Sequence, residues 1–335
     1  MNINRLSIGG GIIGFMLGVV LPVGMGAADL NSNWIIKPHL FESLTEPPCS
    51  YVSTENRKGF VKPDDKVIAW LRGPHNGGTI PLRHFLSGPR IINDTYGLFF
   101  YDPEGGYVAS YQKDYGYEFY GWRDGVMLVR NKEGTIWSAL SGRALEGPEK
   151  GQQLKRDPSA PTTWGHWLML HPESTAYNLF EGDTYSEVKL PAVDHWQVRA
   201  TARTAEITED LVIGVEGSDS SRAYPLPLRK ERVCYNDVLD NLPITVFWYG
   251  PTQSGVAWKR MINGKLLTFR ADAVAPETAP FMDNETNSRW TLAGRAVDGP
   301  MRGTELEWIS SIQCRDDAWK VEYPETSWFK PDTQP

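Results

Sequence analysis

The sequence predicts a mainly β fold of the α+β class, a tandem duplication of a β-rich unit in which each unit closes with a short helix. Three observations carry this prediction. Aromatic residues make up 12% of the chain, and 32 glycines and 24 prolines accompany them, which is typical of strands joined by tight turns. Segments about 150 residues apart resemble one another. Each of the two repeats ends with a segment that is predicted to be helical and that stops before a proline.

The composition is that of a globular protein. The chain has 335 residues, of which 41% are hydrophobic and 22% charged, and this balance excludes a disordered chain. The net charge is −7, so a nucleic-acid-binding protein is not expected. Three cysteines are too few for a disulfide-rich scaffold.

Residues 1–28 predict an export signal. Arg5 is the only charged residue before Asp29, and an apolar run lies between them. Pro22 interrupts any helix, and small residues lead to a cleavage site after Ala28. The alternative is an uncleaved membrane anchor, because the run is long enough to span a bilayer. Cleavage is favoured because the run is rich in glycine, which predicts an extracytoplasmic protein, periplasmic or secreted, without membrane contact in its mature form unless the anchor is retained.

The rest of the chain reads as an internal repeat. The segment around Trp137 has a counterpart around Trp290, and Trp167 matches Trp319 at an offset of 152 residues (319 minus 167). Matched tryptophans are expected in the core, so all four are predicted to be buried. The predicted organisation is a signal peptide (1–28), an N-terminal extension (29–65), a first repeat unit (66–181), a connecting segment (182–207) and a second repeat unit (208–330).

Turn pairs and apolar runs predict the elements within each unit. Asp124-Gly125 and Asn263-Gly264 are pairs typical of two-residue hairpins. The predicted strands are 108–120 and 126–129 in the first unit, and 211–215, 244–249, 255–258 and 266–269 in the second. The closing helices are predicted over 162–170, with a hydroxyl N-cap, and over 310–323.

Several of these segments resemble a known family. The segments that carry the resemblance are Ala223–Leu226, Val233–Asp237, Asp283–Trp290 and Gly294–Pro300 in the second unit, and Thr162–Trp164, Trp167 and His171–Pro172 in the first. They are similar to the bacterial family of domain of unknown function 3179, whose members are typically built from two units. The resemblance implies an architecture and no activity, since the family has none assigned.

The chain departs from that family at one motif. In many members the aromatic strand runs into Tyr-Cys-Pro-Leu-Cys-Gly, whose thiols could bind a soft metal or exchange disulfides. Residues 101–106 and 249–255 stand there in this chain and contain no cysteine, so we expect no soft transition metal and no cofactor. Asp102 and Glu104 could instead hold a hard cation. A polar turn is favoured, because two carboxylates are a small ligand set.

Asn93-Asp94 and Asn236-Asp237 form a second group of polar candidates. One interpretation makes Asp94 or Asp237 a catalytic acid or base. A turn that enters the aromatic strand is favoured, because both units contain the pair at matching places.

Histidines and tryptophans are the remaining ligand candidates. His166 and His171 are five residues apart, which is not the spacing of a helical zinc site, and His171 matches Tyr323 in the second unit, which suggests packing. Thirteen tryptophans allow a carbohydrate site built on stacked rings. The candidates for such a surface are the unmatched tryptophans Trp34, Trp70, Trp122, Trp196, Trp308 and Trp328.

An oxidising compartment would favour one disulfide among the three cysteines. Cys234 and Cys314 both lie in the second unit, at positions where the first unit has no cysteine. We predict that they pair. Pairings with Cys49, which follows two prolines in the extension, remain the alternatives.

The sequence therefore predicts an exported, non-catalytic binding or accessory protein for an unknown protein or small ligand. The alternative is an extracytoplasmic enzyme, a hydrolase or an oxidoreductase, with its site in a cleft between the two units. The chain has no nucleophile elbow, phosphate-binding loop or dinucleotide fingerprint. A cleft with several convergent ionisable groups would favour the enzyme, and an aromatic or apolar surface would favour binding.

Overall fold

The computed structural model describes residues 34–71, 77–86, 90–95, 97–112, 116–177, 198, 210–227 and 232–330. They belong to one compact body that spans residues 33–335. The predicted signal peptide (1–28) lies outside the described residues, as does the connecting segment (182–207) apart from Val198. None of the helices in the described part of the chain is long and apolar enough to cross a bilayer.

The described chain is mostly β-structure, which confirms the predicted fold class. The extension contains β1 Trp34–Ile36, β2 Ser43–Thr45, β3 Cys49–Tyr51 and α1 Val52–Lys58. The first unit contains β4 Lys66–Leu71, β5 Gly77–Pro81, α2 Arg83–Leu86, β6 Ile91–Asp94, β7 Gly97–Asp102, β8 Tyr107–Tyr111, β9 Glu118–Arg123, β10 Val126–Arg130, β11 Ile136–Ser138, β12 Ala144–Glu146, β13 Ser159–Thr163, α3 Trp164–Leu170 and β14 Thr175–Tyr177. The second unit contains β15 Leu211–Glu216, β16 Ser221–Pro225, β17 Arg232–Leu239, β18 Leu242–Tyr249, β19 Ser254–Lys259, β20 Met261–Ile262, β21 Lys265–Leu266, β22 Phe269–Ala271, β23 Phe281–Asp283, β24 Arg289–Trp290, β25 Ala296–Asp298, β26 Ser311–Arg315, α4 Asp316–Glu322 and β27 Ser327–Trp328.

The two units share their strand orders once the extension strands β1, β2 and β3 are set aside. In the first, the sheets run β13-β4-β5-β14-β3, β2-β6-β7-β8 and β1-β9-β10-β11-β12. In the second, they run β26-β15-β16-β27, β17-β18-β19 and β22-β23-β24-β25, with β20-β21 as a separate hairpin. The last short strand of each unit, β14 or β27, joins its sheet in parallel, whereas β13 and β26 are antiparallel edge strands. Descent of the two units from one duplicated unit remains a prediction.

The three strands of the extension pair with strands of the first unit. Strand β1 pairs with β9, β2 pairs in parallel with β6, and β3 pairs with β14. These three short strands therefore extend three different edges of the first unit, which protects the edges from pairing with other chains.

Both predicted hairpin turns are present. Asp124 and Gly125 have positive φ angles of 49° and 85°, and Asn263 and Gly264 have 49° and 78°, as two-residue hairpin turns require. The turn at Asn263-Gly264 does not join the predicted strands 255–258 and 266–269 to each other. β19 pairs with the longer β18 instead, and only two residues pair on each side of Asn263-Gly264.

One closing helix agrees with the prediction and the other is shorter. Helix α3 begins after Thr163, whose hydroxyl accepts a hydrogen bond from the His166 backbone N–H at 3.4 Å. The helix predicted over 310–323 begins only at Asp316, because residues 311–315 form strand β26. Ile312 and Cys314 are buried and alternate with the half-buried Gln313, a period of two that belongs to a strand.

The core confirms the predicted burial of the matched tryptophans. Trp137, Trp167, Trp290 and Trp319 are all buried, none with more than 5% of its surface exposed. Trp319 of the second unit packs in one cluster with first-unit residues such as Phe100. The two units therefore share a core.

The predicted Cys234–Cys314 disulfide is wrong in this structure. Cys49, Cys234 and Cys314 are all free thiols. Cys314 lies in β26 within the core cluster that includes Trp319, whereas Cys234 lies in β17 against a different cluster of the second unit. Cys49 is exposed in the extension. The two candidate partners are therefore held in separate sheets by their strand pairing.

Candidate ligand cleft

A cleft opens between the two units on the side of α3. Its cavity volume is about 60 Å³, and the wider depression of about 520 Å³ around it includes open solvent. Its aromatic walls are Trp70, Trp167 and His171 from the first unit and Trp258 and Trp308 from the second. Small residues from both units also line the cleft: Ala69, Ala160 and Ala293.

Edge strand β13 and helix α3 form the first wall. Helix α3 starts directly after β13. Trp167 and His171 are four residues apart along it, so they lie one turn apart, and their ring centres are 4.2 Å from each other. The Trp167 indole donates a hydrogen bond to Ser174 Oγ at 2.7 Å, which fixes its orientation. Thr162 of β13 and His166 Nδ1 form a hydrogen bond of 3.1 Å.

Two tryptophans form the second wall. Trp258 of β19 and Trp308 face each other across an isolated antiparallel bridge. Gly294 has a φ of 75°, and a Cβ at this position would come within 3.0 Å of the Trp258 ring. The glycine therefore allows the loop to lie flat against the indole. The Nε1 atoms of Trp258 and Trp308 are shielded from solvent and have no hydrogen-bond partner among the described residues.

The imidazoles of the cleft are held in the neutral form. Burial, followed by the charges of His166 and Arg295, lowers the pKa of His171 to about 4. Burial also lowers the pKa of His166, against an opposing contribution from the backbone and carboxylate of Glu277. Both rings are therefore uncharged at neutral pH, and the cleft is lined by apolar and neutral groups.

A second interface between the two units, at the matching positions, is closed. Arg156 and Tyr323 occupy the positions that match Trp308 and His171. Arg156 Nη2 donates to Glu216 Oε1 at 2.9 Å, and the Tyr323 hydroxyl donates to the same carboxylate oxygen. The Arg156 guanidinium also lies over the Tyr111 ring, 5.1 Å from its centre. We refer to Tyr111, Arg156, Glu216 and Tyr323 as the closed interface. Here an ion pair occupies the space that is open at the cleft.

Asp102 and Glu104 lie in a buried ion-pair cluster away from the cleft. Arg90 donates two hydrogen bonds to Glu104, at 2.6 and 3.2 Å. Asp102 accepts hydrogen bonds from the backbone N–H groups of Met127 and Gly105, at 3.0 and 3.2 Å. The oxygens of both carboxylates are thus engaged inside the protein. Among the described residues, no group of three or more histidine, cysteine or acidic side chains could hold a metal ion.

The turns that follow the aromatic strands β7 and β18 contact the opposite unit. The backbone N–H of Arg315 donates to the carbonyl of Gly105 at 2.9 Å. The Lys66 ammonium donates to the carbonyl of Thr252 at 2.8 Å. The two turns therefore link the two units.

Asn93 and Asn236 have the same structural role in the two units. The Asn93 side chain donates to the carbonyl of Tyr117 and accepts from its N–H, both at 3.1 Å. Asn236 holds Phe269 in the same way, at 2.7 and 2.9 Å. Each amide thus fixes the start of the next sheet through two hydrogen bonds, and neither forms the predicted turn.

The neighbouring aspartates do not line the cleft. Asp94 is buried at the end of β6. Asp237 accepts hydrogen bonds from Arg222 at 2.5 Å and from the Tyr224 hydroxyl at 2.8 Å. The structure thus does not bring the polar candidates of the two units together.

The cleft uses residues that the sequence identified only in part. Trp70 and Trp308 were among the unmatched tryptophans proposed for a surface, whereas His166, His171 and Trp258 were not proposed as a site. Of the remaining candidates, Trp122 is buried, Trp328 packs against the shared core and Trp34 is half-buried. Trp196 lies outside the described residues. The sequence indicated this site only through matched positions that carry different residues in the two units: His171 matches Tyr323, and Trp308 matches Arg156.

One comparison with known proteins gave a match. The sequence model of the family described as "Protein of unknown function (DUF3179)" matches residues 188–335. No curated protein and no solved structure matches the chain.

Proposed function

We propose, from the premise that residues 188–335 belong to the DUF3179 family, that the protein binds a small, largely apolar molecule in the cleft between its units without transforming it. The observation that carries the proposal is the contrast between two matching interfaces. One is closed by the Arg156–Glu216 ion pair, and the other is left open and lined by tryptophans. Concave, mainly aromatic surfaces with few polar groups are typical of small-molecule sites.

The chemistry of the lining argues against the enzyme alternative. Along the described walls of the cleft, a hydroxyl group is hydrogen-bonded to an imidazole at one place only, between Thr162 and His166. A catalytic pair needs an imidazole that accepts a proton readily, and the burial that lowers the pKa of His166 makes it a weak base. No carboxylate lines the cleft among the described residues.

The proposal includes export. The arrangement of residues 1–28, with one basic residue, an apolar run and small residues before Asp29, supports an extracytoplasmic binding or accessory protein. Such a protein would hold its ligand outside the cytoplasm for a partner of unknown identity.

Purification from the native host tests both parts. Ala293→Leu adds volume to the cleft wall, and Val274→Leu changes a side chain that is 92% exposed and serves as the control. We expect one small molecule to be retained stoichiometrically by the wild type and the control and lost from Ala293→Leu, as detected by mass spectrometry. The same spectra should show an N-terminus near Asp29.

Three results would contradict the proposal. Identical small-molecule content in all three proteins would exclude the cleft as the binding site. Chemical conversion of the retained molecule during incubation with the protein would favour the enzyme. An intact Met1 would favour the membrane anchor over the cleaved signal.

A further inference from the structure

We infer that the outer edge of strand β2 (Ser43–Thr45) docks a partner protein, which adds an extended segment with an acidic side chain to the sheet β2-β6-β7-β8. The inference goes beyond the proposed function, because this site shares no described lining residue with the cleft. Three observations support it: backbone groups at the edge of β2 that pair with no described residue, a groove beside this edge, and cationic side chains on the opposite wall of the groove.

The edge of β2 carries unpaired backbone groups. This strand covers β6 and is itself the outermost strand of the sheet. The Glu42 carbonyl and the Glu46 N–H form hydrogen bonds on the β6 side. Because the backbone groups of successive residues in a strand point to opposite sides, those of Ser43 and Thr45 point away from β6, where no described residue binds them. Such an edge is a template for pairing with an extended segment of another chain.

A groove with a cavity volume of about 500 Å³ lies beside this edge. Ser43 and Thr45 line one wall, and the start of β9, the end of β10 and the turn after β10 form the opposite wall. The cleft between the units is far smaller, at about 60 Å³. An added strand places every second side chain on the face that Ser43 and Thr45 share, so these side chains would enter the groove.

The opposite wall supplies cationic donors. Arg130 donates through Nε and Nη2 to Glu118 Oε1, at 2.9 and 2.5 Å, and His39 Nδ1 lies 3.2 Å from the other oxygen of this carboxylate. Arg130 Nη1 and the Lys132 ammonium have no hydrogen-bond partner among the described residues. Gly116, with a φ of 83°, makes room for the Lys132 stem, because a Cβ there would lie 2.4 Å from Lys132 Cε. The groove therefore has positive charge available for an acidic side chain.

The same charges argue against a second copy of this chain as the occupant. In an antiparallel pair of two β2 strands, Ser43 and Thr45 of one copy would stand on the groove face of the other, and neither could pair with the cations. Glu42 and Glu46 are exposed and would lie opposite one another across the pair. Like charges in this position are destabilising. A partner segment with an acid on the groove face avoids both costs.

Selection from a displayed library of random heptapeptides tests the site with the whole protein. The bound peptides should be enriched in aspartate or glutamate and depleted in proline, which cannot donate to a strand edge. Thr45→Pro removes an outward N–H and leaves the hydrogen bonds between β2 and β6, so it should abolish the enrichment. Thr45→Val is the matched control, because it keeps the N–H and removes only the hydroxyl group. This control should select the same peptides as the wild type.

Calorimetric titration with the best selected peptide separates charge from strand pairing. Lys132→Gln should weaken this peptide about threefold, the order expected for one exposed ion pair, and leave a peptide with asparagine or glutamine at the acidic position unchanged. Lys265→Gln, at an exposed site in the second unit, should change neither affinity.

Changes in the peptide keep the test valid if Thr45→Pro fails to fold. N-methylation of alternate residues removes every second backbone donor of the peptide and keeps its charge. The series that blocks the donors facing β2 should bind about tenfold more weakly to the wild type, and the series that blocks the other donors should bind unchanged.

Each contrary outcome removes a stated part of the inference. The same peptides selected by the wild type and Thr45→Pro, or equal binding of the two N-methylated series, would overturn strand addition at β2. Enrichment of neutral or basic peptides would overturn the acidic class of partner. A dimer in sedimentation experiments that dissociates in Thr45→Pro would assign the edge to a second copy instead. The small-molecule content of Ala293→Leu tests the cleft independently of all these results.

Discussion

Asp102 and Glu104 show how two neighbouring carboxyl groups receive opposite properties from one buried cluster. Burial and the adjacent charge of Glu104 raise the pKa of Asp102 to about 8. Burial would also raise the pKa of Glu104, but the hydrogen-bonded ion pair with Arg90 overrides it and lowers the value to about 2. Near neutral pH the cluster therefore holds one carboxylate, paired with Arg90, beside one protonated carboxyl group.

This cluster predicts a pH dependence of stability. Asp102 titrates near 3.8 when unperturbed and near 8 in the folded protein, so between these values the folded state binds more protons. The free energy of unfolding should therefore fall as the pH rises from about 4 to about 8. Asp102→Asn mimics the protonated group and should remove this part of the pH dependence in urea unfolding experiments.

A control and a second window make the prediction specific. Asp64→Asn, at an exposed site, should retain the wild-type pH dependence. The stabilisation from Glu104 should disappear in a different window, as the pH falls from 4.5 toward 2. An Asp102→Asn curve parallel to that of the wild type between pH 4 and 8 would contradict the assignment.

At the scale of elements, the sequence predicted best where local chemistry decides the structure. Asp124-Gly125 and Asn263-Gly264 form turns because few other pairs accept two positive φ angles. Thr163 caps α3 for a similarly local reason. The start of α4 was misplaced because residues 311–315 pair with β15, and this partner lies about 100 residues away in the chain. The cleft was missed in part for the same reason, since its walls come from both units.

We expect replacement of the matched tryptophans of the two closing helices by alanine to lower the free energy of unfolding by unequal amounts. Trp319 is fully buried in the shared core, and Gly214 makes room for it, because a Cβ there would lie 2.2 Å from its ring. Trp319→Ala should therefore cost about 3–5 kcal/mol of unfolding free energy. Trp167→Ala should cost less, because part of this ring borders the cleft, whereas the Trp319 ring is enclosed on all sides. Urea unfolding of both variants measures the difference, and equal costs would contradict the description of the cleft as open space.

At the scale of the whole molecule, the two units form one body with two matching but unequal interfaces. The first is closed by Arg156, Glu216 and Tyr323, and the second is the tryptophan-lined cleft. The shared strand orders agree with the predicted repeat, whereas the function proposed here depends on the places where the two units differ. This asymmetry could be read from the sequence only as unmatched residues, because their meeting point depends on how the units pack.

Xenon binding in crystals of the protein tests the open, apolar cleft most directly. Empty apolar cavities bind xenon without any specific ligand chemistry. Diffraction from crystals under xenon pressure should show a xenon atom between Trp258 and Trp167 in the wild type and none there in Ala293→Leu. The closed interface around Arg156 and Tyr323 should remain empty in both proteins. Xenon absent from the cleft of the wild type, or bound at the closed interface instead, would contradict the account.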